Sequence, residues 1–353
     1  MRGHITQKRD TWYFILDVGY NENGTRKQKW FKGDVTEAKT RKMMINKIAE
    51  LQQGEYLEPS QQLYRDYFDE WLKTKKRDVC KETHGVYTSY SKMFLPLIGN
   101  RKLGSITALH IDAMIADLCD AYSSSTAKKA YTLVKQSIEK AIDLGLLRSN
   151  PCDRVKPPRV YKKEMNYWAI EELQSFLFVA KKYPHYIAFY LALKTGMRKG
   201  EILALKWSDI RDKTLSVRKA KTSAGVRTIA LTDTDIKNLE NHRKEQNKVK
   251  LKSIRYSDNN FIIATKFGNP FNGRDLLRLF DKIIIENNLR KIRFHDLRHT
   301  HATMSMIAGD HVKVISERLG HSNISTTMDT YSHVLPNMQS ESAARLEKML
   351  EIR

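Results

Sequence analysis

Phe294-His295-Asp296-Leu297-Arg298-His299-Thr300-His301 sets three histidines and an arginine within one short stretch. Read as a helix, it places His295 and Arg298 at i and i+3, on one face. An imidazole beside a guanidinium makes a pair of donors suited to an oxyanion or a phosphate. His295 and His299 also stand at i and i+4, the spacing of the H-E-x-x-H zinc helix. Asp296 replaces the glutamate of that motif, one methylene shorter, and no third ligand is evident. A zinc hydrolase is therefore an alternative that lacks support, and no metal site is expected. His299 and His301 read as local packing or capping groups.

Upstream lies Thr195-Gly196-Met197-Arg198-Lys199-Gly200-Glu201. An apolar helix, Ile187 to Leu193, runs into this glycine-flanked turn, and the apolar segment Ile202–Leu205 follows. Arg198 thus falls at a joint between buried helices, where an unpaired guanidinium is costly. Glu201, three residues on, can hold it. Downstream, Leu319-Gly320-His321-Ser322 precedes Ser325-Thr326-Thr327-Met328-Asp329-Thr330-Tyr331. Gly320 is expected to end a helix over Val312–Leu319 and turn the chain back at His321. The hydroxyls of Ser325, Thr326 and Thr327 are expected to cap the next helix, which carries Tyr331. A tyrosine by itself is ordinarily a packing residue.

In this order the three segments resemble the tyrosine recombinase family, which includes phage and conjugative-element integrases. The family's catalytic set is Arg, Lys, His-x-x-Arg, His and Tyr. Arg198 matches the first arginine and Glu201 the acidic residue after it. His295 and Arg298 match the His-x-x-Arg pair, His321 the Leu-Gly-His box, and Tyr331 the nucleophile. The family's lysine lies in a β-turn between the first arginine and the His-x-x-Arg box. Lys221, followed by Thr222, fits that placement best, with Lys219 the alternative. The resemblance covers about Lys162 to Val334. It implies DNA cleavage and rejoining through a 3′-phosphotyrosyl link, with His295 as base and Lys221 as general acid. Double-stranded attachment sites, a homotetramer on two duplexes and an excisionase or DNA-bending partner are further implications. No cofactor is expected, since a phosphotyrosyl link keeps the energy of the broken bond. A topoisomerase of the same chemistry and a non-catalytic DNA-binding regulator are the alternatives.

The remainder of the chain reads as DNA-binding modules. Lys and Arg number 62 against 40 Asp and Glu, a formal charge of +22, which points to a polyanionic partner. Thr11–Leu16 reads as a strand, Asn21-Glu22-Asn23-Gly24 as a turn and Arg26–Phe31 as the returning strand. A helix follows from Thr36 to Gln53, ended by Gly54. A three-stranded sheet with one helix is expected over residues 1–58, an arm-type DNA-binding domain. Its basic residues Arg26, Lys27, Lys29 and Lys32 are candidates to lie in a groove.

After the linker Glu58-Pro59-Ser60, Tyr64, Tyr67, Phe68, Trp71 and Leu72 recur at helical spacing. A bundle of about four helices is expected over residues 61–155, a core-binding domain, with Ser125 or Thr126 capping its last helix. Lys156-Pro157-Pro158-Arg159 is a stiff basic strap whose Lys156 and Arg159 can meet a phosphate backbone. Residues 162–353 are the expected catalytic domain, with a hairpin of Thr214–Lys221 and Val226–Leu231. Ala344, Leu346, Met349 and Leu350 give the last segment helical spacing and suit docking on a neighbouring protomer or on its own domain.

The fold class is thus mainly α with small β-sheets, a multi-domain α+β chain. Cys80, Cys119 and Cys152 have no C-x-x-C spacing and read as reduced packing residues. No apolar run of membrane-spanning length or secretory type is present, so a cytoplasmic place in a bacterial host, at the nucleoid, is expected.

Overall fold

The computed structural model describes residues 3–20, 25–52, 60–161, 165–218, 225–331, 343, 346–347 and 349–350, with the backbone alone for 18–20, 26–27, 50–52 and 329–331. The Asn21–Gly24 turn, Gly54, the Glu58-Pro59 linker, Lys219, Lys221 and most of the last segment lie outside the described residues. Two compact units make up the chain, Met1–Lys162 and Lys163–Arg353.

The first unit opens with an antiparallel sheet of β1 (Gly3–Lys8), β2 (Thr11–Tyr20) and β3 (Arg26–Lys32), in that order, with helix α1 (Glu37–Gln52) after it. Phe14, Ile15 and Leu16 on the central strand are buried. Phe14 stands opposite Phe31 in the register and their rings stack at 5.1 Å. Of the four basic residues of β3, the side chains of Lys29 and Lys32 are described. Lys29 is half-buried, with its Nζ 6.0 Å from the Phe31 ring, whereas Lys32 is exposed.

Four helices follow: α2 (Tyr64–Lys75), α3 (Lys81–Ile98), α4 (Ala108–Ala121) and α5 (Ser124–Asp143). The aromatic stripe of α2 is buried, as its spacing predicts. Ser123, not Ser125 or Thr126, caps α5: its Oγ accepts the Thr126 N–H at 3.3 Å. The helix begins two or three residues earlier than expected, so the first of the clustered hydroxyls does the capping. Cys152 is buried while Cys80 and Cys119 are exposed, and all three are free thiols. Among the described residues 155–161 there is no helix or strand; Lys156 and Arg159 are exposed and Pro158 is buried.

In the second unit come α6 (Ile170–Ala180), α7 (Tyr186–Thr195) and α8 (Lys199–Ala204). Then β4 (Ile210–Arg211), β5 (Thr214–Val217) and β6 (Arg227–Ala230) form an antiparallel sheet in that order. The hairpin was expected; β4, two residues paired as Ile210 with Leu215, is too short for a sequence pattern to reveal. Helices α9 (Asp233–Lys252), α10 (Gly273–Glu286), α11 (Asp296–Ile307), α12 (Val312–Leu319) and α13 (Ile324–Tyr331) complete the unit.

Ile187 to Leu193 on α7 are all buried, as a helix apolar on every side requires. Trp168, Phe176, Phe189, Phe280 and Phe294 pack in one aromatic cluster within the same core. Ala302, Met306, Ile315 and Leu319 form a smaller core that fixes α12 against α11. The architecture is mainly α with small antiparallel sheets. Among the described residues no helix is long and apolar enough to cross a membrane.

Candidate active site

Buried helix α7 ends at Gly196, which adopts the left-handed conformation at φ 63°. A Cβ there would lie 2.6 Å from both His301 Cδ2 and Leu319 Cδ2, so glycine is required by conformation and by space. Met197 is buried next, and Arg198 becomes the residue that starts α8. Glu201, 5% exposed, accepts the Arg198 backbone N–H at 3.0 Å and its Nη1 at 2.8 Å. The expected Arg198–Glu201 pair is therefore present. Arg198 Nη2 reaches the Gly320 carbonyl at 3.4 Å. Its side chain keeps 34% of its surface exposed, so the guanidinium is anchored yet open on one side.

His295 is exposed and sits immediately before α11. Asp296 is fully buried and fixes that helix start by accepting the Arg293 N–H at 2.7 Å and the Arg293 guanidinium. Arg298, 3% exposed, donates from Nη1 to the Gly196 carbonyl at 2.7 Å. The two arginines thus each hold a different glycine turn, Arg198 that of Gly320 and Arg298 that of Gly196. His301 is buried and bonds the Leu193 carbonyl at 2.8 Å, joining α11 to α7. His299 faces His295 edge-on, with ring centroids 5.2 Å apart.

Helix α12 ends at Gly320, left-handed at φ 68°, over the expected span. His321 follows, half-buried, with Nδ1 2.8 Å from Thr327 Oγ1. Asn323 caps α13 through Ser325 N–H at 2.9 Å, in place of the serine and threonine hydroxyls. Thr327, fully buried, is spent on His321. Tyr331 is the last residue of α13. Its side chain, like Lys221 and Lys219, lies outside the description.

Arg227 was not anticipated. It opens β6, and its side chain is 7% exposed. Nη2 donates to Glu201 Oε2 at 3.0 Å, Nε to the Arg318 carbonyl at 2.6 Å and Nη1 to the Gly225 carbonyl at 2.8 Å. Strand parity carried the signal: Ile229 and Leu231 are buried, and Arg227 shares their side of the alternation.

Two guanidinium groups, those of Arg198 and Arg227, therefore share the Glu201 carboxylate, while that of Arg298 is held by the Gly196 carbonyl. Burial pushes the Glu201 carboxyl up, but hydrogen bonds from Arg227 and the Arg198 backbone outweigh it and hold it below the usual carboxylate range. Burial, followed by the Arg298 and Arg198 charges, pulls His321 down to about 4. Burial and the neighbouring His295 pull His299 down to about 4. Crowding by surrounding protein, followed by the Arg298 charge, lowers His295 as well. At neutral pH the site is a set of neutral imidazoles among fixed cations. Such a site can accept a proton and bind an oxyanion. Among the described residues no three His, Cys, Asp or Glu side chains converge to hold a metal ion.

The phage integrase family matches residues 167–338, and a phage integrase N-terminal SAM-like domain matches residues 63–119. A tyrosine recombinase XerC-like protein of Caldanaerobacter subterraneus subsp. tengcongensis is 27% identical, over 98% of each chain. The ICEBs1 integrase of Bacillus subtilis is 31% identical, over 65% of this chain and 67% of its own. Among solved structures, the Tn1549 transposon integrase in complex with a circular intermediate DNA aligns with a TM-score of 0.69 at 18% identity, over 80% of this chain and 99% of that one. A lambda integrase tetramer bound to a Holliday junction aligns at 0.66 and 19% identity, over 93% and 94%. The chain belongs to the phage integrase family and is a site-specific recombinase of the tyrosine class.

Proposed function

We propose that Tyr331 attacks a DNA phosphodiester at an attachment site, so that the chain integrates and excises a mobile element. The tyrosine oxygen bonds to phosphorus, the bond to the 5′-oxygen breaks, and a 3′-phosphotyrosyl link remains. The tyrosine proton passes to His295, and Lys221 protonates the leaving 5′-oxygen. Attack by the 5′-hydroxyl of another strand reverses these steps and needs no nucleotide cofactor. An unperturbed tyrosine has a pKa of about 10, so it needs both a base and a positive field.

One observation carries this reading. Arg198, Arg298 and His321 come from separate segments, yet they meet through Gly196 and Gly320, whose carbonyls the two arginines share out. Their fixed charges suit the two non-bridging oxygens of a phosphodiester, on which charge grows during attack. A histidine kept neutral at pH 7 suits the base.

We assign residues 1–58 to arm-site binding, 61–155 to core-site binding and 162–353 to catalysis. Arg26, Lys27, Lys29, Lys156 and Arg159 are the proposed phosphate contacts, supported by the formal charge of +22. A tetramer on two duplexes, an excisionase or DNA-bending partner and a cytoplasmic, nucleoid-associated place complete the proposal.

The test uses the full chain and nicked duplex carrying the cognate attachment site, resolved on a denaturing gel. A covalent protein–DNA adduct is expected, lost in Tyr331→Phe and kept in Tyr161→Phe. An adduct that survives Tyr331→Phe, or none with the unaltered chain, overturns the assignment.

A further inference from the structure

We propose that Arg227 is a positioning residue for strand cleavage, holding Arg198 and the Gly320–His321 turn in one register. The proposal rests on the reading of Arg198 and His321 as phosphate-binding groups. Each nitrogen of the Arg227 guanidinium has an acceptor on a different piece of the chain. Nη2 takes Glu201 on α8, Nε takes the carbonyl of Arg318 at the end of α12, and Nη1 takes Gly225 just before β6. With a side chain 7% exposed, this guanidinium is committed to protein acceptors, and its effect on substrate is indirect.

The links run both ways from it. Through Glu201, whose other oxygen holds Arg198 Nη1, it fixes the fork that faces the phosphate. Through the Arg318 carbonyl it fixes the end of α12, two residues before Gly320 and three before His321. Gly320 is the complementary device: a Cβ there would lie 2.9 Å from Arg227 Nη1 and 3.2 Å from its Cδ and Cζ. The turn that delivers His321 therefore closes directly over the guanidinium. A lysine has one nitrogen and cannot span three acceptors in a planar fork.

A purely structural ion pair and a positioning residue differ in which substrates feel its loss. Arg198 matters because the non-bridging oxygens carry charge. Replacing one of those oxygens by a methyl group removes that charge and the need for a well-placed arginine. The experiment measures adduct formation by the full chain on nicked attachment-site duplexes with either a phosphodiester or a methylphosphonate at the scissile position. Arg227→Lys is expected to lose about 10- to 100-fold on the phosphodiester, by analogy with other outer-shell partners, and to recover most of it on the methylphosphonate. Arg198→Ala should show the same rescue, and Tyr331→Phe should form no adduct on either. Gly320→Ala, which crowds the same guanidinium, should repeat the pattern and stands in if Arg227→Lys fails to fold. Equal losses on both substrates, or no loss, overturn the role of Arg227 alone. An unaltered chain that forms no adduct overturns the underlying reading and this proposal together.

Discussion

The α2–α5 bundle and the cluster around Arg198 both bury polar groups, and they use them in opposite ways. In the bundle the buried polar atoms are neutral and close on one another. Tyr64 Oη meets Ser137 Oγ at 2.7 Å, Tyr67 donates to the Ser137 carbonyl at 2.7 Å, and Tyr131 donates to the Cys152 carbonyl at 3.0 Å. These bonds fasten helices. In the cluster the buried groups are charged: two guanidinium groups share the Glu201 carboxylate and a third, that of Arg298, is held by a backbone carbonyl. Their remaining acceptors are backbone carbonyls at glycine turns. Among the described residues, His301 Nε2 and Thr303 Oγ1 are buried with no hydrogen-bond partner. A bundle built this way contributes stability; a cluster built this way holds positive charge ready for an anion. The lesson is that the same count of buried polar atoms serves cohesion or chemistry according to whether the charges cancel.

Arg298→Lys tests that contrast most severely. Lysine keeps the charge but loses the fork that holds the Gly196 carbonyl. Adduct formation should fall about 10²–10³-fold, or roughly 2.7–4 kcal/mol in the barrier, while the melting temperature barely moves. Breaking a buried ion pair often destabilises, but here the charge remains. A large drop in melting temperature with a matching loss of folded protein would place Arg298 with the bundle's fasteners. Gel adducts and calorimetry on the same preparation separate the two.

Ser137→Ala should do the reverse. It strips the hydroxyl facing Tyr64 and leaves a buried phenol without that partner, at about 1–3 kcal/mol. The urea midpoint should fall, while adduct formation at saturating DNA stays unchanged for the folded fraction. A changed cleavage rate under those conditions would show that the bundle's polar bonds reach the chemistry.

The same contrast explains what could be read from the sequence. The apolar periodicity of α2, the all-apolar run of α7 and the glycines at 196 and 320 announced their elements, because each is dictated by local spacing or backbone conformation. Arg198 stood out as a charge at a joint between buried helices, Glu201 by its spacing from Arg198, Arg298 by its spacing from His295, and His321 by the glycine before it. Arg227 hid, since one basic residue at the head of a short strand looks like any solvated lysine or arginine. Only its parity with Ile229 and Leu231 marked it. The caps at Ser123 and Asn323 were misjudged for a related reason. Several hydroxyls or amides stood within two residues of each helix start, and the tertiary packing chose among them. The role of Thr327 depends on His321 lying opposite it, a contact across a turn that spacing alone does not fix.

The smallest expected effect separates the two regions by pH. His301 is pulled down to about 4 by burial and the Arg318 charge. Its neutral form is favoured in the fold, so its contribution is fully present above about 6.5, the unfolded value. It is lost as the pH falls through the window from 6.5 to 4, since the unfolded chain then binds the extra proton. At pH 5.5 this amounts to about 1 kcal/mol for His301, with smaller shares from the half-buried His299 and His321. Among the bundle's buried titratable groups are phenols, with the opposite sign. Burial pushes Tyr64 far up and Tyr67 up to about 12. These phenols contribute stability that is present below about 10 and lost above it, as the unfolded chain ionises first. Trp71 lies in the bundle core and Trp168 in the core of the second unit. Urea midpoints read from each, with the other tryptophans replaced by phenylalanine, should fall at pH 5.5 for Trp168 and hold for Trp71, whereas the alkaline loss is common to both units because burial also raises Tyr190 and Tyr186. Binding phosphate at the cluster should spare His321 from this loss by raising its pKa, because a bound anion favours the imidazolium. His301, which faces the Leu193 carbonyl, should not respond. If Trp71 proved the acid-sensitive reporter, the division between neutral fasteners and poised charge would be wrong at its root.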